Sequence, residues 1–394
     1  MNIIVQKYGG TSVNTIYSRN KIIENLQCAI KNGYNCVIVV SAMGRKGEPY
    51  ATDSLLKLIP SDYHNTREMD MLITCGEIIS SVVISSHLKK FGFDTIPMTG
   101  GQAGIITDDN FGNSNIIKVE NTRIAELLKS NKIPVVAGFQ GITSHGEITT
   151  IGRGGSDVTA VLLGISLNAK HVEIFTDVDG IMTADPKVVP TAKLINQIDY
   201  NEVFQLAEYG AKIIHPRAVE LAMNNNMPIM VYNTTKYTDK SGTLINDENF
   251  NCHRIITAIA HEHNKVQCTL KIKSSNSYIL NNIAKNNISI DLINVFKDYS
   301  VFIINDKNKY KLKNILNENN ISYDLLENCT KITIIGNKIK GVPGIMAKLI
   351  SSLQGNIDIL QTSDSHTTIS ILVESKYSNE TINLLHNTFN LNFE

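Results

Sequence analysis

Several segments of this 394-residue chain concentrate the residue types that handle phosphate and carboxylate groups. The first is Lys7-Tyr8-Gly9-Gly10-Thr11-Ser12-Val13, between the β-branched run Ile3-Ile4-Val5 and a helical stretch. Two glycines let backbone amides approach phosphate oxygens with no Cβ in the way, and a helix start offers free N–H groups. Lys7 adds a compact positive charge suited to a transferring phosphoryl group, and Ser12 a hydroxyl. Alone, the segment reads equally well as an ordinary strand–Gly-Gly–helix turn. It matches neither G-x-x-x-x-G-K-[ST] nor G-x-G-x-x-G, which disfavours a P-loop or a dinucleotide fold.

A second strand runs into Ser41-Ala42-Met43-Gly44-Arg45-Lys46-Gly47 and on through Thr52-Asp53-Ser54. Ser41 and Thr52 are candidate hydroxyl donors to substrate oxygens, whereas Arg45 and Lys46 also suit a solvated loop. In Cys75-Gly76-Glu77-Ile78, Glu77 is expected at a helix start, where it either caps the helix or holds a substrate ammonium group. The segment Thr149 to Ala160 packs Gly152, Arg153, Gly154 and Gly155 in front of Ser156-Asp157. Arg153 can grip a carboxylate in two-pronged fashion, and Asp157 can orient Lys7 and metal-bound phosphates. Plain N-capping by Ser156-Asp157 leaves the three glycines and Arg153 unexplained. Finally, Asp177, Asp179 and Asp185 fall in a polar loop after a strand, fit to hold a nucleoside. Asp-x-Asp-Gly there resembles the start of a calcium loop, but the required Glu and flanking helices are missing, so calcium is excluded and no resident metal site is expected.

These segments need a scaffold. The runs 3–5, 37–40, 133–137, 172–175 and 229–232 read as buried strands, and 16–32, 66–91, 121–130 and 199–209 as amphipathic helices. Apolar strands alternating with helices predict an α/β fold with a mainly parallel sheet sandwiched by helices, and ligands at the carboxyl ends of its strands. After residue 246 the composition turns rich in Asn, Lys and Ile, and a weak repeat appears. Strands at 266–272, 289–295 and 299–304 with helices at 276–287 and 309–319 are echoed by strands at 331–335, 356–361 and 367–373 with helices at 343–354 and 378–389. Two ferredoxin-like βαββαβ modules follow. The expected division is 1–246 catalytic, 247–328 linker and first module, and 329–394 second module.

Bulk properties exclude other classes. Lys plus Arg and Asp plus Glu are 37 each, so no net field favours nucleic acid or an acidic membrane. The start MNIIVQKYGG does not read as a signal peptide, and no apolar run is expected to reach the ~18 residues of a membrane span. The six cysteines show no C-x-x-C pair, which favours free thiols in a reducing cytosol over zinc or disulfides.

Taken in order, KYGGTSV, VVSAMG, CGEIIS, AGFQG, TTIGRGGSD, FTDVDGIMTADP and GAKIIHPRAVE resemble the aspartokinases of the amino-acid kinase family, over essentially the whole chain. The segments 41–56 and Gln361-Thr362-Ser363-Asp364-Ser365-His366-Thr367-Thr368-Ile369 are most similar to the single-function, diaminopimelate-sensitive type. The resemblance implies transfer of the γ-phosphoryl group of ATP, with Mg²⁺, to the side-chain carboxylate of L-aspartate. That carboxylate, with an ordinary pKa of ~3.9, needs no general base, so catalysis would rest on positioning and charge neutralisation. It further implies that Lys7, Gly9, Gly10 and Ser12 line the phosphate pocket and that Lys7 and Asp157 are catalytic. Ser41, Thr52, Glu77, Arg153 and Ser156 would hold aspartate; Thr176, Asp177, Met182, Lys187 and Lys212 would surround the nucleotide. Met182 stands where Tyr is common in the family, and Lys187 where Arg is common.

The repeats would be ACT modules. Gly341-Val342-Pro343-Gly344-Ile345 matches their effector-binding turn, although a plain Pro-Gly helix start has the same look. The implied effector set is Asn294, Val342, Pro343, Gly344, Asn356, Ile357, Ser363 and Asp364, for diaminopimelate, lysine or threonine. A homodimer through the ACT modules and a cytoplasmic setting are also implied. The competing readings are another carboxylate kinase of the same fold, such as a glutamate kinase, and a silent amino-acid sensor.

Overall fold

In a computed structural model the described residues are 1–60, 65–211, 213–237, 242–247, 255–271, 278–337, 339–355 and 357–392. They form two compact units. The first comprises Met1–Ile181, Leu194–Ala207 and Lys212–Phe250; the second comprises Met182–Lys193, Glu208–Ala211 and Asn251–Glu394.

The first unit is built in the order β1 (Ile3–Tyr8), α1 (Gly10–Asn14), α2 (Ile16–Lys31), β2 (Asn35–Val40), α3 (Thr52–Leu56), α4 (Thr66–Lys89), β3 (Thr95–Met98), β4 (Ile105–Thr107), β5 (Ile116–Val119), α5 (Thr122–Lys129), β6 (Ile133–Ala137), β7 (Gln140–Thr143), β8 (Ile148–Thr150), α6 (Gly155–Ser166), β9 (His171–Thr176), β10 (Gln197–Ile198), α7 (Tyr200–Glu208, its last residue in the second unit), α8 (Pro216–Asn224), β11 (Ile229–Asn233) and β12 (Thr243–Ile245). The main sheet has the order β10-β12-β11-β9-β1-β2-β6-β3. Every pairing in it is parallel except β11 with β12. Its central strands are buried on both faces, which is why they read as unbroken apolar runs. Ile4, Ile38, Val40, Val135 and Phe175 pack with Leu26 of α2 and with Ile84 and Leu88 of α4. A second sheet, β5-β4-β7-β8, consists of strands of three or four residues.

Two expectations change here. Helix α4 spans 24 residues and is long and apolar enough to cross a membrane, although half of its most apolar stretch is buried in the structure. Ser, Thr and Gly between its apolar residues hid that run in the sequence. Glu77 lies in the middle of this helix, not at its start, so the capping reading is removed.

The second unit contains β13 (Ala258–Leu270), α9 (Tyr278–Lys285), β14 (Asp291–Val295), β15 (Ser300–Asn305), α10 (Lys309–Glu318), β16 (Tyr323–Ile335), α11 (Ile345–Leu353), β17 (Gln361–Asp364), β18 (Thr368–Glu374) and α12 (Ser378–Thr388). Its antiparallel sheet has the order β14-β15-β13-β16-β18-β17. The two 13-residue strands β13 and β16 each serve both repeats. Val266, Cys268 and Leu270 pack with α9, α10 and Phe302 in one core. Ile259, from the other half of β13, packs with Ile332, Ile334, Leu349, Ile371 and Leu385 in a second core that also takes in Ala184 and Val189. The strand expected at 356–361 is found instead at Gln361–Asp364. The abundance of Asn has a local cause: Asn131, Asn168, Asn226, Asn287, Asn320 and Asn390 follow helices at φ of 48° to 56°, the left-handed turn that Asn tolerates better than most side chains.

Candidate active site

The loops that follow β1, β2, β9 and β11 leave the sheet at the same, carboxyl, end, because these strands are mutually parallel. Lys7 is the penultimate residue of β1, opposite Val39 and Ile174. Beyond it, Gly9 N–H donates to Phe175 O at 3.3 Å, which pins the turn to β9. Gly10 has no room for a side chain, since a Cβ would stand 2.6 Å from Ala42 O and 2.7 Å from Gly44 O. The helix after it, α1, is only five residues long. Ser12 is buried, and its hydroxyl shares a 2.6 Å hydrogen bond with Thr234 of the β11 loop.

Lys7 Nζ lies 2.7 Å from Asp157 Oδ1, each side chain 12% exposed. That oxygen lacks a well-aligned hydrogen bond, so the contact is an ion pair. The other oxygen, Oδ2, accepts the His215 backbone N–H at 3.2 Å. Asp157 stands in the first turn of α6, which starts at Gly154 with φ of +71°. A Cβ on Gly154 would be 2.0 Å from the His215 ring, so only glycine fits there. Ser156 is buried beside Asp157. Arg153 is exposed on the same loop and makes no side-chain hydrogen bond or ion pair among the described residues.

Ser41 starts the loop after β2, its N–H donating to Tyr8 O at 3.1 Å, and Thr52 opens α3. Glu77 reaches this loop from α4: Ala42 N–H donates to Oε1 at 3.2 Å, while Oε2 is buried with no partner. Gly76 makes the approach possible, because a Cβ there would be 2.9 Å from that of Ala42. Burial pushes the Glu77 carboxyl up to about 8, and the Ala42 N–H opposes only part of this. One buried carboxyl oxygen of Glu77 is thus left without a hydrogen-bond partner beside the Ser41-Ala42 loop.

On the β9 loop, Thr176 Oγ1 donates to Asp177 Oδ1 at 3.3 Å, and Asp177 is ion-paired with Arg45 of the β2 loop. Asp179 is engaged by Asn233 at 2.6 Å and Lys236 at 3.0 Å, and the latter pair helps hold its carboxyl below the usual range against the opposing effect of partial burial. Met182, Asp185 and Lys187 lie in the segment Met182–Lys193 of the second unit, where Lys187 N–H donates to Asp185 at 2.9 Å. Lys212 and Asn356 lie outside the described residues.

In the second unit, Val342 and Pro343 form the turn before α11, which Gly344 enters at φ of +89°. Ile357 is buried in the second core, and Ser363 and Asp364 are exposed on β17. Asn294 Oδ1 accepts from Gln361 Nε2 at 2.6 Å, so it is brought to the start of β17.

Four further residues touch this machinery without having been singled out for a role. Asp70 is fully buried and accepts Thr150 N–H, Thr150 Oγ1 and Gly112 N–H at 2.7 to 2.9 Å. Phe139, at φ of +69°, abuts Gly155. His215 and Arg217 flank Pro216 at the start of α8. The positive φ of Phe139 leaves no trace in a sequence. His215-Pro216 did carry a signal, a proline in the first turn of a helix.

The profile of the amino acid kinase family matches residues 2–233, and that of the ACT domain residues 325–387. With the parallel sheet, the Lys7–Asp157 pair and the glycine loops, this places the chain in the amino acid kinase family. Aspartokinase 1 of Bacillus subtilis is 42% identical over 99% of this chain and 100% of its own length. Among solved structures, Escherichia coli aspartokinase III in complex with aspartate and ADP (R-state) is 23% identical, with a TM-score of 0.77 over 98% of this chain and 99% of that one. The same enzyme with lysine and aspartate (T-state) gives 0.78 over 99% and 100%, also at 23% identity. Within the family the chain belongs with the aspartokinases: it is an ATP-dependent phosphotransferase that acts on the side-chain carboxyl group of aspartate and carries ACT regulatory modules. The glutamate-kinase and silent-sensor alternatives are not favoured.

Proposed function

We propose that aspartate binds between the loops after β2 and β8, with its ammonium group on Glu77 and its α-carboxylate on Arg153. Ser41, Thr52 and Ser156 complete the aspartate set. The observation that carries this reading is the unpartnered, buried Glu77 oxygen beside the Ser41-Ala42 loop. Lys7, Gly9, Gly10 and Ser12 take the phosphates, and Thr176, Asp177, Met182, Lys187 and Lys212 the rest of the nucleotide. A carboxylate oxygen of aspartate forms the new bond to the γ-phosphorus, and the bond to the β,γ-bridging oxygen breaks to release ADP. Lys7 neutralises charge on the transferring group, and Asp157 holds Lys7 in place.

Magnesium enters as part of the substrate, bound to ATP phosphates, where it offsets their negative charge. Asp157 is the carboxylate best located to meet it.

Residues 1–246 are proposed as the catalytic part and the two repeats as the sensors. Lysine in the T-state relative supports an amino-acid effector, for which Asn294, Val342, Pro343, Gly344, Asn356, Ile357, Ser363 and Asp364 are the candidates. Diaminopimelate is the proposed effector, with lysine and threonine as the alternatives, and a homodimer through the ACT modules the proposed assembly. A cytoplasmic setting is supported by five described cysteines that are all free thiols. Trapping the acyl phosphate with hydroxylamine tests the core of this: aspartate should yield a hydroxamate and glutamate should not, and each effector should be added in turn. Failure to form aspartyl hydroxamate overturns the reading.

A further inference from the structure

The backbone of Thr150, Ile151 and Gly152, which delivers Arg153, is held at all three carbonyls and at the N–H groups of Thr150 and Ile151. Thr150 N–H donates to Asp70 at 2.8 Å, and Thr150 O accepts from Ser114 N–H at 2.9 Å. Ile151 N–H donates to Phe139 O at 3.1 Å, and Gly152 O accepts from Gly155 N–H at 3.1 Å. The remaining carbonyl, Ile151 O, is buried and takes its hydrogen bond from Arg217 Nη1 at 2.7 Å. The same nitrogen donates to Asn113 Oδ1 at 3.1 Å. Gly152 is at φ of +76° beneath these two side chains; a Cβ there would be 2.2 Å from Asn113 Oδ1 and 3.0 Å from Arg217 Nη1. Arg217 itself is fixed on α8, whose preceding residue His215 gives its backbone N–H to Asp157.

We infer that Arg217 is a positioning residue for aspartate binding: it clamps the Ile151-Gly152 turn so that the unengaged guanidinium of Arg153 is presented in one place. The two arginines divide the labour. Arg217 is spent on a backbone carbonyl and an amide, and Arg153, one residue beyond the clamped turn, keeps all its donors for a ligand. A flexible turn would leave Arg153 to be ordered on each binding event, and that cost would appear in the affinity for aspartate. ATP, which does not depend on Arg153 in this scheme, would be spared. The inference rests on the proposed role of Arg153.

The test compares Arg153→Ala, Arg217→Ala, Arg217→Lys and Asn113→Ala in the full chain, with KM for aspartate and for ATP, kcat and Tm measured on each. Arg217→Ala is expected to raise KM for aspartate at least tenfold while KM for ATP changes less than twofold, and added guanidinium ion should recover part of the loss. Arg217→Lys should fall between, since a compact ammonium on an unbranched stem lacks the rigid planar fork that sets the direction of both bonds, and Asn113→Ala should raise KM for aspartate about twofold to threefold. If Arg153→Ala raises KM for aspartate and Arg217→Ala does not, or affects both substrates equally, the clamp is refuted and the aspartate site stands. If Arg153→Ala leaves KM for aspartate unchanged, the site reading itself falls. Should Arg217→Ala fail to fold, Arg217→Lys and Asn113→Ala decide by the same split between substrates.

Discussion

Each unit of this molecule buries a lysine against an aspartate, and the two pairs are built for different ends. Among the described residues Lys7 has one carboxylate partner, Asp157, and its ammonium otherwise lies beside the side-chain-free Gly9 turn. Lys331, only 2% exposed, lies 2.5 Å from Asp291 and 3.9 Å from Glu262, with its ammonium 4.3 Å from the centre of the Tyr209 ring. One cation is left with capacity for a further anion; the other is surrounded. A buried charge that is fully answered stabilises a structure or fixes its pairing, whereas a buried charge only partly answered marks a place where something else must arrive. Glu77 belongs with Lys7 by the same criterion, because one of its two oxygens has no partner.

The largest effect should come from Lys7→Ala. Turnover should fall by about a thousandfold or more, since charge at the transferring group is the main catalytic term here, while Tm stays within a few degrees. Near-normal turnover would break the comparison at its first term. Glu77→Gln comes next, raising KM for aspartate by about tenfold to a hundredfold through loss of a charge-assisted contact worth roughly 1.5–3 kcal/mol. The pH dependence sharpens this case. A carboxyl raised to about 8 must ionise to meet an ammonium, so wild-type KM for aspartate should fall as pH rises toward about 8, and the Gln variant should lose that slope. The sign for stability is opposite: the folded protein holds this proton more tightly than the unfolded chain, so relative to the Gln variant the wild type loses stability between pH of about 4.5 and 8.

Lys331→Met should reverse the pattern seen with Lys7. We expect a stability loss of about 2–3 kcal/mol in denaturant titration, at the low end for a broken buried pair because Asp291 is itself partly solvated. Effector-free turnover should be near wild type, and a thousandfold fall would erase the distinction between the two lysines. The smallest effect is expected from Arg45→Ala. Its ion pair with Asp177 is 69% and 51% exposed, so stability should move by about 0.5 kcal/mol or less.

The central strands of the main sheet were legible because they are buried on both faces and rich in β-branched residues, and Gly9, Gly10, Gly152 and Gly154 announced tight turns. What stayed hidden depends on contacts between distant parts of the chain. Glu77 looked like a helix cap because nothing local shows that α4 began eleven residues earlier or that Ala42 would lie over it. The short strands Ile105–Thr107 and Ile148–Thr150 are too brief to show a period of two. Asp70 and Arg217 are ordinary helix-surface residue types until the fold brings Thr150 and Ile151 to them. In the second unit the repeat was visible, but no sequence pattern shows that Val266 and Ile259, on one strand, serve different cores.

That shared strand has a consequence for how the polypeptide is made. The segment from Lys265 to about Cys329 can close the first core as soon as it leaves the ribosome, since its strands and helices are contiguous. The second core needs Ile259, which emerges before that segment, together with Ile371 and Leu385, which emerge after it. Until residues 368–385 have emerged, the early half of β13 and the late half of β16, which pair with each other, wait with an apolar face uncovered and with the β18 edge of β16 unpaired, and a nascent chain in that condition is exposed to mispairing with another.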